Sequence, residues 1–230
     1  MKIQMRRFLI LTVVVSVSIG FAGCAPRTAD KVSEAAGSDT TSAASAKNDY
    51  SAYEGVSEFA EMNGIFGRLT ARQFSNESVS EEQIDMLLNA AFASPTGGNQ
   101  RSCELMVVTD RSMMKKMQEG HPYSQPLDTA PLVIVIGVNE ETAKYPEILT
   151  LDAGIAAMAI MVQAAEMGLV SVPMSIMPQA ERIQGIANAI GHPGNVAGQI
   201  MVAVGHSAVD GDTHASTDYF NEEQVHVNGW

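Results

Sequence analysis

The chain has 230 residues, of which 46% are hydrophobic and 17% charged, so it carries enough apolar side chains to bury a sizeable core. This composition excludes a chain that is disordered throughout. Its 26 acidic residues outnumber its 14 basic residues, which argues against nucleic acid as a partner because phosphate backbones require excess positive charge. Its two cysteines exclude a fold held together by several disulfides.

Residues 1–23 have the pattern of an export signal. Three basic residues precede an uncharged apolar run over residues 8–22, and this run is too short to remain in a membrane as a spanning helix. Residues 21–24 (FAGC) are similar to a bacterial lipobox, which makes Cys24 the predicted site of lipidation. The sequence therefore predicts an exported, membrane-anchored lipoprotein of the bacterial cell envelope. The alternative is a secretory signal followed by an incidental cysteine.

Residues 24–50 consist mainly of small and polar residues and contain almost nothing large and apolar. Such a segment cannot recover by burial the entropy that it would lose on ordering, so we expect a flexible linker. Without the signal, the chain keeps 11 basic and 26 acidic residues and has a formal charge of −15. The folded domain is predicted at residues 51–230.

The first motif of that domain is RLTARQF, residues 68–74. In an extended segment, alternate side chains point to one side, so Arg68, Thr70 and Arg72 can converge on a single anion. The arginine fork forms paired charge-assisted hydrogen bonds with phosphate oxygens. Considered alone, the same pattern also fits a solvated basic turn.

Helical and loop patterns surround this motif. Residues 50–66 are loosely helical, and Val79–Ile84 (VSEEQI) begins a second helix with a capping box and a hydrophobic staple. Apolar residues then recur with helical spacing until Ser94, and Pro95 ends the helix. The glycines and proline of residues 95–102 indicate a loop.

The rest of the chain alternates between strands and helices, which indicates an α+β or α/β architecture. Strands are predicted at residues 104–109, 132–138, 169–174 and 199–205, and the second of them is apolar throughout, so it is expected to be covered on both faces. A helix at 151–167 is apolar on nearly every side and ends at Gly168, and we expect it at a subunit interface. Another helix is predicted at 179–190.

These segments together resemble the nitroreductase family of flavin enzymes. RLTARQF is similar to that family's RRSxRxF, ASPTGGNQ (93–100) to its APSxxNxQPW loop, and TAPLVIVIG to its APxxIxV strand. Residues 151–175 are similar to its D-x-G-x-A-x-x-x-x-L-x-A-x-x-x-GL stretch, which ends in a VPIEGF-like turn. The resemblance runs in order from about residue 55 to 230.

The resemblance implies an α+β fold with a mixed central sheet flanked by helices, forming a homodimer with FMN at the subunit interface. It implies electron transfer from NAD(P)H to a nitroaromatic, a quinone or another small acceptor, and a protein or quinol donor is an alternative outside the cytoplasm. A lipoprotein that keeps the scaffold, with or without flavin, but has no turnover is the alternative function.

The resemblance also assigns roles to residues before the central strands. Arg68, Thr70 and Arg72 would hold the FMN phosphate and the pyrimidine edge of the flavin ring. Pro95 and Thr96 would lie along the ring. Asn99 would hydrogen-bond the polar edge of the ring, since its amide both donates and accepts.

The turn that follows residue 172 would complete the flavin site. Pro173 and Met174 would lie at the cofactor, and the backbone amides of Ser175 and Ile176 would point at flavin N5. A fixed donor there would stabilise the charge that appears on reduction.

Three features depart from the family pattern. Arg101-Ser102-Cys103 stands where Gln-Pro-Trp is usual, so Arg101 adds a cation that could face phosphate or solvent. Cys103 is either a redox thiol or a small buried apolar residue. Residues 202–230 contain no Lys or Arg to complete the phosphate site, and His214 is the chosen substitute. The sequence predicts no metal site.

Overall fold

The computed structural model describes residues 64–209 and 221–230. The predicted signal, Cys24, the linker, most of the predicted helix at 50–66 and His214 lie outside these ranges. The helices are α1 (Glu81–Ala93), α2 (Arg111–Glu119), α3 (Leu149–Glu166) and α4 (Ala180–Ile190). The strands are β1 (Cys103–Val108), β2 (Leu132–Asn139), β3 (Val170–Ser175) and β4 (Val196–Gly205). All four predicted strands are present, with bounds shifted by at most three residues.

The strands form one sheet in the order β1-β2-β4-β3, and all three neighbouring pairs are antiparallel. The α+β expectation is confirmed. The expected mixed character of the sheet is confined, within the described residues, to a single parallel bridge between Thr70 and Ser171. The antiparallel order leaves β3 at one edge, with its outer side facing residues 68–74.

Two apolar clusters cover the two faces of the sheet. On one face, side chains of β2 and β4 pack with α1 and α3, and on the other face they pack with α2 and α4. Residues 132–138 of β2 are all buried, as the uninterrupted apolar sequence predicts for a strand covered on both sides.

Helix α1 begins with the predicted capping box. The backbone N–H of Gln83 donates to the Ser80 hydroxyl (3.2 Å), and the Ser80 N–H donates to the Gln83 side-chain oxygen (2.9 Å). Each bond satisfies an amide that has no partner within the first helical turn.

Helix α3 begins two residues before its predicted start and ends in a Schellman motif. Gly168 adopts φ +71° and its N–H donates to the Ala165 carbonyl at 3.0 Å, while the Leu169 N–H donates to Ala164 at 2.8 Å. This pattern satisfies the last carbonyls of a helix and favours glycine, because a side chain is strained at positive φ.

Helix α2 was not predicted from the sequence. Asp110 caps it by accepting the Met113 N–H at 2.8 Å, and Met114 and Met117 are fully buried. Its end packs closely on α4, since a Cβ on Gly120 would lie 2.6 Å from the Gly185 backbone. The capping aspartate and the spacing of the two methionines were the available signal, but nine residues are few for a periodicity argument.

Candidate functional site

Residues 69–71 lie along the outer edge of β3. The Ala71 N–H donates to the Ser171 carbonyl and the Ser171 N–H donates to the Leu69 carbonyl, both at 3.3 Å. Ala71 is buried, and Leu69 packs against the cluster formed with α2 and α4. The other side chains of this segment are more accessible than Ala71: Arg68 is half-buried, and Thr70 and Arg72 are exposed.

Arg68 and Thr70 form a polar pair in this segment. The Arg68 Nη1 donates to the Thr70 hydroxyl at 2.6 Å. The Arg68 Nε is buried and has no hydrogen-bond partner. A buried guanidinium N–H without an acceptor is unfavourable, and a phosphate oxygen is an acceptor that would satisfy it.

The backbone N–H groups of Ser175 and Ile176, at the end of β3, point in different directions. Ser171 pairs with residues 69–71 through its N–H and carbonyl, so the strand's two-residue period directs the Ser175 N–H to the same outer edge. The Ile176 N–H instead donates to the Gln199 carbonyl of β4 at 3.0 Å. Of the two amides predicted to face flavin N5, that of Ser175 is therefore the one directed away from the sheet.

Pro173 and Met174 have opposite orientations on β3. Pro173 is exposed, while Met174 is buried in the cluster formed with α2 and α4. Proline fits position 173 because the N–H that it lacks would point to the outer edge rather than to β4. A contact between cofactor and the Pro173 side chain is compatible with this arrangement, whereas the Met174 side chain is directed into the core.

The predicted site residues Pro95, Thr96 and Asn99 lie in the loop between α1 and β1. Pro95 and Asn99 are exposed. Asn99 and Arg101 adopt φ values of 54° and 53°, a region that asparagine tolerates better than most side chains. The Thr96 hydroxyl accepts the Arg101 N–H at 3.1 Å. The loop is therefore held in one defined and uncommon backbone conformation.

Arg101 also fixes the orientation of Asn99. Its Nε donates to the Asn99 Oδ1 at 2.9 Å. Since Oδ1 is the acceptor in this contact, the NH₂ group of Asn99 is available as a donor to a further ligand. The unusual arginine at this position thus makes Asn99 primarily a hydrogen-bond donor.

Asp152 and Gln100 anchor this loop, and sequence reasoning gave neither a role. The Asp152 carboxylate is 1% exposed and accepts the Gly97 N–H at 2.8 Å and the Gln100 side-chain N–H at 2.6 Å. The Gln100 oxygen accepts the backbone N–H groups of Lys144 and Tyr145 at 3.1 and 3.0 Å. A buried carboxylate needs such donors, so Asp152 sets where the loop lies.

The start of α3 connects the loop with the end of β3. Asp152 holds the loop, and Thr150, two residues earlier, donates its hydroxyl hydrogen to the Gln199 side chain at 2.8 Å. The Gln199 carbonyl in turn accepts the Ile176 N–H. The two groups of predicted residues are therefore joined by hydrogen bonds through the first turns of α3.

A cavity of about 400 Å³ opens beside the outer edge of β3. Four of the predicted site residues line it, and none of the loop residues Pro95, Thr96 and Asn99 does. Within one chain, the predicted residues thus form an arginine group at this cavity and a separate loop group at the start of α3. The four that line the cavity are Arg72, Pro173, Met174 and Ser175.

Comparison with known proteins identifies the family. The family model described as "Nitroreductase family" matches residues 65–121 and 115–206. The chain belongs to the nitroreductase family. An Archaeoglobus fulgidus protein, provisionally named NADH dehydrogenase/NAD(P)H nitroreductase, is 30% identical over 72% of this chain and 96% of its own length. As a member of this family, the chain is an oxidoreductase.

Solved structures of this nitroreductase's relatives share its fold. A Clostridium acetobutylicum protein provisionally named an NADH oxidase has a TM-score of 0.67 and 29% identity, over 71% of this chain and 97% of the other. An FMN-dependent nitroreductase of Clostridium difficile R20291 has a TM-score of 0.65 and 25% identity, over 71% and 96%. The nitroreductase-like fold expected from the sequence is confirmed.

The pKa of the Cys103 thiol bears on whether this departure from the family pattern is a redox thiol. Burial, and to a smaller extent the negative charge of Asp152, raise the pKa of the Cys103 thiol from 9.0 to about 11. At neutral pH the thiolate fraction is then about 100-fold lower than for a thiol of pKa 9.0. Since the thiolate is the reactive form, the structure favours the apolar interpretation of Cys103 over the redox thiol.

Proposed function

We propose that this nitroreductase is an FMN-dependent enzyme that transfers electrons from NAD(P)H or another donor to a nitroaromatic, a quinone or a similar small acceptor. The observation that carries the proposal is the partnerless buried Nε of Arg68 beside Thr70 and Arg72, next to the outer edge of β3. The relative from Clostridium difficile, an FMN-dependent nitroreductase, supports the choice of cofactor, and the names of other relatives support NAD(P)H as donor.

The residues present suit the phosphate of FMN. Arg68 offers a buried donor that lacks an acceptor, Thr70 offers a hydroxyl, and Arg72 is exposed on the same side of the segment. In a chain with formal charge −12, two arginines directed to one side supply local positive charge that the protein as a whole lacks. FMN held by these residues would supply the hydride-transfer chemistry that links the electron donor to the acceptor.

The protein would position the reacting ring through its backbone and its loop. The Ser175 N–H, on the outer edge of β3, would donate to the ring where negative charge develops on reduction. Asn99, oriented by Arg101, would donate its amide hydrogens to a ring carbonyl. Pro95 and Thr96 would lie against the ring. His214, outside the described residues, stays a prediction for the phosphate.

We also propose a homodimer formed through α3. Its exposed side is apolar: Leu151 is 61% exposed and Met158 42% exposed. Residues 146–166 are long and apolar enough to cross a membrane by length and composition, with mean hydropathy 1.8, and 44% of that stretch is buried. The sheet covers the buried side, and a second copy would cover the exposed side. Such contact at the start of α3 would bring the loop of one copy near the cavity of the other.

The dimer proposal predicts a dissociating substitution. Met158→Glu places a charge in the centre of the exposed face of α3, so this variant should sediment as a monomer and lose affinity for FMN. Met106→Glu is the matched control, because Met106 is similarly exposed (37%) but alternates with Leu105 and Val107, which point to the α3 side of the sheet. Sedimentation that is identical for the Met158→Glu variant and the unmodified chain would refute the interface.

Membrane attachment is proposed from residues 1–24 alone. Cys24 would carry the lipid and residues 25–50 would separate the enzyme from the membrane surface. Fractionation of cells that express Cys24→Ser tests this, because the variant should leave the membrane fraction.

Anaerobic spectroscopy separates the enzyme from the alternative scaffold. The full chain, reconstituted with FMN, should be yellow and should bleach on addition of NADPH or NADH, and a nitroaromatic or quinone should restore the colour. A yellow protein that no reductant bleaches would indicate a flavin-binding scaffold without turnover. Colourless protein that does not take up FMN would contradict the proposal.

A further inference from the structure

The cavity beside β3 has an unusual charge for this chain. Arg72 and Arg182 line it, and no aspartate or glutamate is among the lining residues, although the chain has 26 acidic residues. The only ion pair in the described part of the chain joins His206 to Glu77, so neither arginine has a carboxylate partner there. Arg72 is assigned to the FMN phosphate, so Arg182 is the lining cation left to attract a further anion.

Arg182 is held in place at this cavity. It lies in the first turn of α4, and its guanidinium carbon lies 5.0 Å from the centre of the Tyr123 ring. Its Nη1 donates to the Ser175 carbonyl at 3.3 Å. Arginine has five N–H donors, so these contacts orient the group while leaving donors for a ligand.

His121 fixes the aromatic wall of the cavity. It is 2% exposed, and its Nδ1 accepts the backbone N–H of Tyr123 at 3.3 Å. Since Nδ1 accepts, Nε2 carries the ring hydrogen and donates it to the Ser175 carbonyl at 2.9 Å. Both nitrogens are occupied, so His121 ties Tyr123 to the end of β3 and Arg182 remains the donor available to a further anion.

We propose that Arg182, with Tyr123, binds the anionic group of a planar substrate next to Ser175. This inference rests on the proposed function and adds the substrate class, a planar molecule with a carboxylate or phosphate. Arg182 has no part in the proposed flavin contacts, so it is a cation that FMN would leave available at this cavity. The exposed Tyr123 ring (65%) offers a flat apolar surface to a planar ligand.

Paired substrates that differ only in charge test the subsite. The full chain loaded with FMN is assayed with 4-nitrobenzoate and with neutral 4-nitrobenzamide. In Arg182→Gln the KM for nitrobenzoate should rise about tenfold or more, since a charge-assisted hydrogen bond is lost, while the KM for nitrobenzamide stays within twofold. In Arg182→Lys the KM for nitrobenzoate should lie between that of the unmodified chain and that of Arg182→Gln. Lys115→Gln, which removes an exposed charge on α2, is the control.

A second pair of substrates distinguishes the source of the anion. Reduced nicotinamide mononucleotide and reduced nicotinamide riboside differ by one phosphate. If Arg182→Gln raises the KM for the mononucleotide but not for the riboside, the subsite belongs to the electron donor. If Arg182→Gln instead raises the KM for nitrobenzoate but not for nitrobenzamide, the subsite belongs to the acceptor. Equal changes for charged and neutral partners, or no change, would overturn the proposal.

Calorimetry gives a readout that does not depend on turnover. Nitrobenzoate should bind the full chain, with or without FMN, about tenfold more weakly after Arg182→Gln. Binding that does not depend on Arg182 would overturn the subsite. If nitrobenzoate binding depends on Arg182 but the chain never takes up FMN, the anion subsite is supported and the proposed function is refuted. Failure of the subsite and failure of the proposed function are therefore distinguishable.

Discussion

Replacing both Arg68 and Arg72 by alanine should abolish FMN retention while leaving the folded domain intact. Each arginine would contribute a charge-assisted contact worth about 1.5–3 kcal/mol. Loss of both should weaken binding on the order of a hundredfold to ten-thousandfold, since about 1.4 kcal/mol corresponds to a factor of ten. Fluorescence titration with FMN measures this change directly, because flavin fluorescence responds to burial of the ring.

The single variants show which arginine matters more. Arg68→Ala removes the partly buried donor and its bond to Thr70, so we expect a larger loss from Arg68→Ala than from Arg72→Ala, whose side chain is exposed. Circular dichroism and sedimentation of the double variant should match those of the unmodified chain. Full flavin retention by the double variant would show that the phosphate lies elsewhere.

Removing the Asp152 carboxylate should destabilise the domain and displace the loop at residues 95–101. Asp152→Ala removes the acceptor of the Gly97 N–H and leaves the Gln100 side-chain nitrogen only a 3.4 Å contact with the Tyr145 carbonyl. At about 1–3 kcal/mol for each donor that loses its acceptor, the free energy of unfolding should fall by about 2–6 kcal/mol. Urea unfolding measures the loss, and FMN affinity should fall as well because Asn99 belongs to the displaced loop.

Two further variants give that prediction its controls. Asp85→Asn changes an exposed carboxylate on α1 and should leave stability unchanged. In Asp152→Asn the smaller of the two causes that raise the pKa of Cys103 is gone, so that pKa should fall below about 11 while burial still keeps it above 9.0, and the thiol should react with alkylating reagents at a lower pH. Unchanged stability in Asp152→Ala would refute the role of Asp152 as the anchor of the loop.

Local signals in the sequence predicted much of the fold. The capping box at Ser80, the glycine after α3 and the uninterrupted apolar run of β2 each have a physical cause within a few residues, and each is present in the structure. The sequence did not decide the conformation of residues 68–74, because the spacing of Arg68, Thr70 and Arg72 also fits a solvated basic turn. The strand bounds were less accurate because pairing across the sheet, rather than local preference, decides where a strand ends.

Contacts between residues far apart in the chain could not be predicted from the sequence. Asp152 and Gln100 are separated by 52 positions, and nothing near either residue indicates that they meet. The engagement of the Ile176 amide by Gln199 likewise follows from the register of β3 and β4. Arg182 and Tyr123 carry no motif, so the charge of the cavity became visible only when α4 and the loop after α2 were placed beside β3.

Comparison of FMN with riboflavin in the unmodified chain tests the central claim most directly. The two flavins differ only by the phosphate that Arg68, Thr70 and Arg72 are proposed to hold. We expect FMN to bind at least about a hundredfold more tightly, because charge-assisted bonds to the phosphate are lost with riboflavin. Equal affinity for the two flavins would contradict a phosphate site at these residues.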